Sequence, residues 1–302
     1  LGTVSVSGDD GAGTASQWTH QWELHVGDQG SGALTIQDGG VVTTATSVLI
    51  GENAGSIGVV DVSDGGVLRA NDTVQLGFDS LATGTLNVTG TTTRRGAVEA
   101  GALVAGPGTV ALNIDGGMLR ALRSESDFLR GFNSLALGVD GIWFDSNGFN
   151  ISIATNFTGA AGLTKVGSGM LQLSGNSAGL SGLSSVQGGV LSINGTLGGM
   201  LEVVGGRLQG VGQVGTTTNF AGGTIAPGNS VGTLTIAGDY IGNGGTLEIE
   251  TVLGDDSSAT DRLVVTGNTS GSTNARVIDL SGAGAPTLNG IRIIDVGGVS
   301  AG

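Results

Sequence analysis

Gly32-Ala-Leu-Thr-Ile-Gln-Asp-Gly-Gly-Val-Val42 decides the fold, because the chain writes it again. Gly58-Val-Val-Asp-Val-Ser-Asp-Gly-Gly-Val-Leu68 lies 26 residues on, and Gly84-Thr-Leu-Asn-Val-Thr-Gly90 another 26, with the Asp-Gly-Gly lost. Thr109-Val-Ala-Leu-Asn-Ile-Asp-Gly-Gly-Met-Leu119 follows 25 later and restores it. Leu24-His-Val-Gly27, Val48-Leu-Ile-Gly51 and Val74-Gln-Leu-Gly77 keep nearly the same beat between these units. Alternation at Leu34/Ile36, Val60/Val62 and Leu86/Val88 predicts short strands separated by Gly-rich turns. A fixed period in the twenties without helical periodicity predicts a solenoid. The fold expected is all-β, a right-handed single-stranded parallel β-helix. No coil of it can bury its apolar side chains without the coils above and below.

Composition agrees. Of 302 residues, 61 are Gly and only 3 Pro, with no G-X-Y period, which excludes collagen and a proline-rich linker. Aromatics are 4%, so thin layers of Val, Leu and Ile must form the interior. A net charge of −14 opposes binding to nucleic acid, which needs clustered Lys and Arg, and to anionic lipid. The chain has no cysteine, hence no disulfide framework or thiolate metal site. No apolar run approaches about 18 residues, so no membrane insertion of this segment is expected. Neither is a signal peptide seen, and Leu1 at the start suggests a processed chain or an excised fragment.

Along the chain, residues 1–31 read as an entry coil, with a polar turn over 8–13 and the aromatic-rich Gln17–His25. Residues 32–119 are the regular array. Residues 120–150 break the beat, and Ser124-Glu-Ser-Asp-Phe-Leu129 predicts a helical turn capped by Ser124. Over 151–302 shorter coils resume, as in Gly188-Gly-Val-Leu-Ser-Ile193 and Gly245-Thr-Leu-Glu-Ile249. About a dozen coils are expected, a rod roughly 60 Å long at one strand spacing per coil. The array reaches Gly302 without an obvious polar cap, so the native protein is expected to continue.

Here two stretches carry a resemblance. Gly162-Leu-Thr-Lys-Val-Gly-Ser-Gly-Met-Leu-Gln-Leu-Ser-Gly175 resembles the autotransporter-associated β-strand repeat. Gly223-Thr-Ile-Ala-Pro-Gly-Asn-Ser-Val-Gly-Thr-Leu-Thr-Ile236 is similar to the last third of such passengers, and Asp261-Arg-Leu-Val-Val-Thr-Gly267 fits the same pattern. The resemblance implies a type V secretion passenger, exported through the outer membrane by its own C-terminal barrel, which is absent here. It implies an extracellular or cell-surface location and supplies no ligand.

Other motifs have plainer readings. Gly175-Asn-Ser-Ala-Gly179 and Gly228-Asn-Ser-Val-Gly232 match G-x-S-x-G, but neither precedes a helical pattern, and the two histidines lie far off in sequence. Gly210-Val-Gly-Gln-Val-Gly215 matches G-x-G-x-x-G, yet another strand follows it, where a dinucleotide site needs a helix. On one strand His20 and His25 would face opposite ways, so His20, Glu23, His25 and Asp28 form no metal site. Trp18 and Trp22 would share a face and cover the open end of the solenoid. Asp38, Asp64 and Asp115 recur in Asp-Gly-Gly turns, and Asp255 and Asp256 lie in a polar loop. No catalytic residue, metal or cofactor is expected.

One feature stands out. By repeat spacing, Arg69, Arg95 and Arg120 occupy equivalent positions, which would stack three guanidinium groups about 4.8 Å apart. Arg94, Arg123 and Arg130 lie close in sequence. Such charges repel unless carboxylates such as Asp72, Glu99 and Glu125 neutralise them, or unless Arg69, Arg95, Arg120, Arg94 and Arg123 take an anionic glycan or receptor. The function expected is a non-catalytic passenger that binds a host cell-surface protein or glycan, as an adhesin or virulence factor. A structural stalk for a missing N-terminal part is the first alternative, and a polysaccharide-acting enzyme the second.

Overall fold

The structure is a computed structural model that describes residues 2–8 and 14–301. The turn expected over 8–13 lies, beyond Gly8, outside the described residues, as does Gly302. No helix occurs among the described residues, and the ladders between strands are parallel.

The quoted repeats form one face of the solenoid. Gly2–Ser7, Ser31–Gln37, Ile57–Val62, Thr83–Thr89 and Thr109–Asp115 pair in that order as a five-stranded sheet. Leu34, Val60, Leu86 and Leu112 follow one another in register and are buried. Ile36, Val62, Val88 and Ile114 form the next internal column. Between them, pointing outward, Asp61, Asn87 and Asn113 make a polar ladder. The Asn87 amide donates to Asp61 Oδ1 at 2.6 Å, and Asn113 donates to Asn87 Oδ1 at 2.8 Å, each across 26 residues.

A second column runs through the other faces. Trp18, Val42, Leu68, Val98, Leu119, Phe144, Lys165, Val186, Val203, Asn219, Gly242 and Gly271 pair successively, twelve rungs deep. The parallel β-helix is thus the observed fold. Each fully buried Leu, Ile or Val in such columns contributes roughly 1.5–3 kcal/mol, and every one depends on its neighbours in the stack.

Two local expectations fail. The helical turn at Ser124 does not form. Glu125 instead bridges Ile151, the Ser124 hydroxyl accepts the Asn150 amide at 3.1 Å, and Phe128 is fully buried. A capping pattern is worth about 1 kcal/mol, less than burying a phenylalanine against the neighbouring coil. The tryptophans also part company. Trp18 packs on the core, but the strand stops at His20 and restarts at Leu24, so Trp22 turns out to 73% exposure.

Close stacking explains the recurring glycine at the head of each unit. Gly32, Gly58 and Gly84 lie in one column. A Cβ on Gly58 would sit 2.1 Å from the Val26 carbonyl oxygen and 2.4 Å from the Gly51 amide. Gly30, with nothing within 4 Å, has no such constraint. Urea unfolding is expected to show Gly58→Ala destabilised by about 3 kcal/mol, and Gly30→Ala within about 0.5 kcal/mol of the parent chain.

Candidate functional site

The arginine face is where charge concentrates. Register puts Thr43, Arg69, Glu99, Arg120 and Asp145 in one outward column, so acid and base alternate over four coils. Glu99 is the centre, with its side chain 9% exposed. Its carboxylate lies 2.5 Å from Arg120 Nη1 and 3.4 Å from Arg69 Nη1, while Arg120 Nε reaches Asp145 Oδ2 at 2.8 Å. Two cations and two anions cancel. Burial works against the Arg120 charge, but the hydrogen bonds it donates to Asp145 and Glu99, with their negative charges, outweigh it and raise its pKa. Arg123 meets Asp72 at 2.8 Å, and Arg130 meets Glu125 at 3.5 Å.

Arg95 is not in that column; Glu99 takes the place expected for it. Thr91–Arg95 form a small hairpin, closed by the antiparallel bridge of Gly90 with Arg95 and by the Gly96 amide donating to the Thr89 carbonyl. These extra residues break the constant coil length on which the spacing relied. Their signal was visible in the sequence: the third unit is the one that loses Asp-Gly-Gly. The Arg95 guanidinium lies 3.8 Å over the Trp143 ring and donates to the Gly116 carbonyl at 2.8 Å. Burial lowers its pKa, opposed by Asp140. From the same hairpin Arg94 reaches Asp64 at 3.2 Å and Asp38 at 3.9 Å, so it spans two successive Asp-Gly-Gly turns. Each of the six arginines named is therefore matched inside the protein, five by carboxylates and Arg95 by a ring and a carbonyl.

The remaining motifs are built into turns or core. Ser177 is buried, and its hydroxyl accepts the Phe157 amide at 3.0 Å. The strand Thr217–Pro227 follows Gly210–Gly215. Gly228–Gly232 is a tight turn that Asp261 holds: one carboxylate oxygen accepts from Gly232 N at 2.9 Å, the other from Glu250 N at 2.8 Å. Burial, chiefly, raises the Asp261 pKa. A small polar cavity of about 170 Å³ lies between that turn, Arg207, Glu250 and Asp261. Because both Asp261 oxygens serve main-chain amides, its carboxylate is a structural acceptor. His25 pairs with Glu52 and lies 3.9 Å from Glu23, while Asp28 accepts from Asn53 at 2.6 Å. In the polar loop, Asp256 accepts the amides of Leu288 and Asn289.

Sequence reading missed Lys165. It alternates inward with Leu163, has no exposed surface, and stacks between Phe144 and Val186. Burial pulls its pKa down to about 8, with Asp145 pulling the other way.

Comparison with known proteins shows what the rod is similar to. Residues 208–302 match the family described as Autochaperone Domain Type 1. The adhesin BmaC autotransporter of Brucella suis biovar 1 (strain 1330) is 39% identical over 157 residues, which cover 51% of this chain and 4% of that protein. These matches support an autotransporter passenger domain. The autotransporter adhesin AIDA-I of Escherichia coli is 43% identical over 84 residues, 28% of this chain and 6% of AIDA-I. The probable autotransporter YfaL of Escherichia coli (strain K12) is 43% identical over 82 residues, 27% of this chain and 6% of YfaL. The passenger therefore spans only a small part of the length of these relatives. It is surface-displayed or secreted.

Two outcomes check this electrostatic account. Glu99→Gln leaves Arg69 and Arg120 facing each other across a nearly buried site, and is expected to cost about 3 kcal/mol in urea unfolding. Lys165 holds its proton less tightly folded, at about 8, than at its ordinary 10.5. Between these values the unfolded chain binds more protons, so this group's contribution to stability rises with pH. Melting curves from pH 8 to 10.5 are expected to show a rise that Lys165→Met lacks.

Proposed function

We propose that this passenger is a non-catalytic adhesive rod, presented outside the cell to bind host cells through its long β-helical faces. The observation that carries it is similarity over half the chain to a protein named an adhesin, joined by a second match to another named adhesin. The internal engagement of Ser177 and Asp261 supports the non-catalytic part, since neither has a free nucleophile or base. In the full-length protein a C-terminal outer-membrane barrel carries the rod, and its partner is a host surface protein or glycan.

A stalk is the second reading, and one observation favours it. Among the described residues, each arginine of this face is matched within the protein, by a carboxylate or, for Arg95, by a ring and a carbonyl, and none is left unmatched for an anionic ligand. Fluorescent beads coated with residues 1–302 separate the two readings. Saturable adhesion to epithelial cells, competed by soluble protein, is expected of the adhesive rod; adhesion equal to albumin-coated beads would leave only the stalk. On a heparin column the protein is expected in the wash at physiological salt. Retention that Arg123→Gln abolishes would restore an anionic glycan as ligand.

A further inference from the structure

The stretch Lys165-Val-Gly-Ser-Gly169 places a cation inside the solenoid. Lys165 Nζ donates to the main-chain carbonyls of Val166 at 2.7 Å, Gly167 at 3.0 Å and Gly188 at 3.3 Å. The first two belong to its own turn and the third, 23 residues on, to the next coil. An ammonium has three protons to donate, and all three are used. Among the described residues, no main-chain amide reaches the Gly167 or Gly188 carbonyl.

Glycine makes the room. A Cβ on Gly189, which stands at φ +65°, would lie 2.8 Å from Nζ and within 2.5 Å of the Gly167 and Gly169 carbonyl oxygens. The charged groups that face this corner are few. Asp145 acts on Lys165 electrostatically and is itself paired with Arg120; the column neighbours Phe144 and Val186 are apolar.

Removing an ion from water is costly, and an apolar replacement often does as well as a buried charge. The retention of lysine here, between Phe144 and Val186 in the column, therefore calls for compensation, which the three carbonyls supply at hydrogen-bond distance and Asp145 adds to electrostatically. We propose that this corner is a built cation site, a cage of main-chain carbonyls from two coils that the protein fills with its own ammonium, and that this ion fastens the coil of residues 163–173 to the coil of residues 183–193. The contact is electrostatic and hydrogen-bonded. Volume alone does not replace it.

Two variants test this. Lys165→Met keeps the bulk and removes the donor. Hydrogen exchange at Gly167–Val190 is expected to quicken at least tenfold, while amides of the five-stranded face stay as in the parent. Unchanged exchange in Lys165→Met would overturn the proposal. Lys165→Ala removes the propylammonium fragment itself. Added propylammonium chloride is expected to raise its melting temperature by several degrees, whereas propanol and tetramethylammonium chloride at equal concentration do not. Equal effects of all three would show that the cage does not select an ammonium ion. If Lys165→Ala does not fold, the exchange measurement on Lys165→Met decides alone.

Discussion

Every strand in this molecule borrows its partners. A coil of some 16 to 30 residues cannot close a hydrophobic core or satisfy its own strand hydrogen bonds. Both needs are met by the coils on either side, in register, so that Leu34 rests on Val60, Val60 on Leu86 and Leu86 on Leu112. This constraint is strict inside and loose outside. The internal columns must stay aligned, because a slip of one residue would turn every apolar side chain to solvent. The turns can lengthen or shorten freely, provided that the chain returns to the same column.

That asymmetry explains how the charged face is made. The Thr91–Arg95 hairpin enlarges one coil without disturbing the pairing of Leu68 with Val98. Outside, the same insertion moves an arginine off the column and lets Glu99 in. A would-be stack of like charges becomes an alternating ladder, with Arg95 set against Trp143 instead. A rod of net charge −14 thus spends most of its arginines on internal matching. What it offers a partner are extended polar faces, such as the ladder of Asp61, Asn87 and Asn113, and no deep catalytic groove was needed to account for any motif.

The columns were legible in the sequence because stacking repeats the same chemistry at the same spacing. Leu34, Val60 and Leu86 could be aligned by eye, and the autotransporter resemblance rested on stretches that the family comparison also covers in part. Positions outside the columns were not legible by spacing. Arg95 was misplaced because a repeat period counts residues, whereas the structure counts returns to a column. The capping pattern at Ser124 was read locally, yet Phe128 answers to the next coil. Lys165 drew no reading of its own from the sequence, since nothing in a linear pattern says that three carbonyls wait on the inner side.

The central claim is that segments 26 residues apart lie one strand spacing from each other along the face that begins the array. Spin labels on the outward column at Val59, Thr85 and Ala111, introduced in pairs through cysteine, test it most directly. Neighbouring pairs, with backbones about 4.8 Å apart, are expected to show strong spin exchange, and the 59/111 pair dipolar broadening at about twice that separation. Spectra of all three pairs that equal the sum of the single labels would contradict the stacked solenoid.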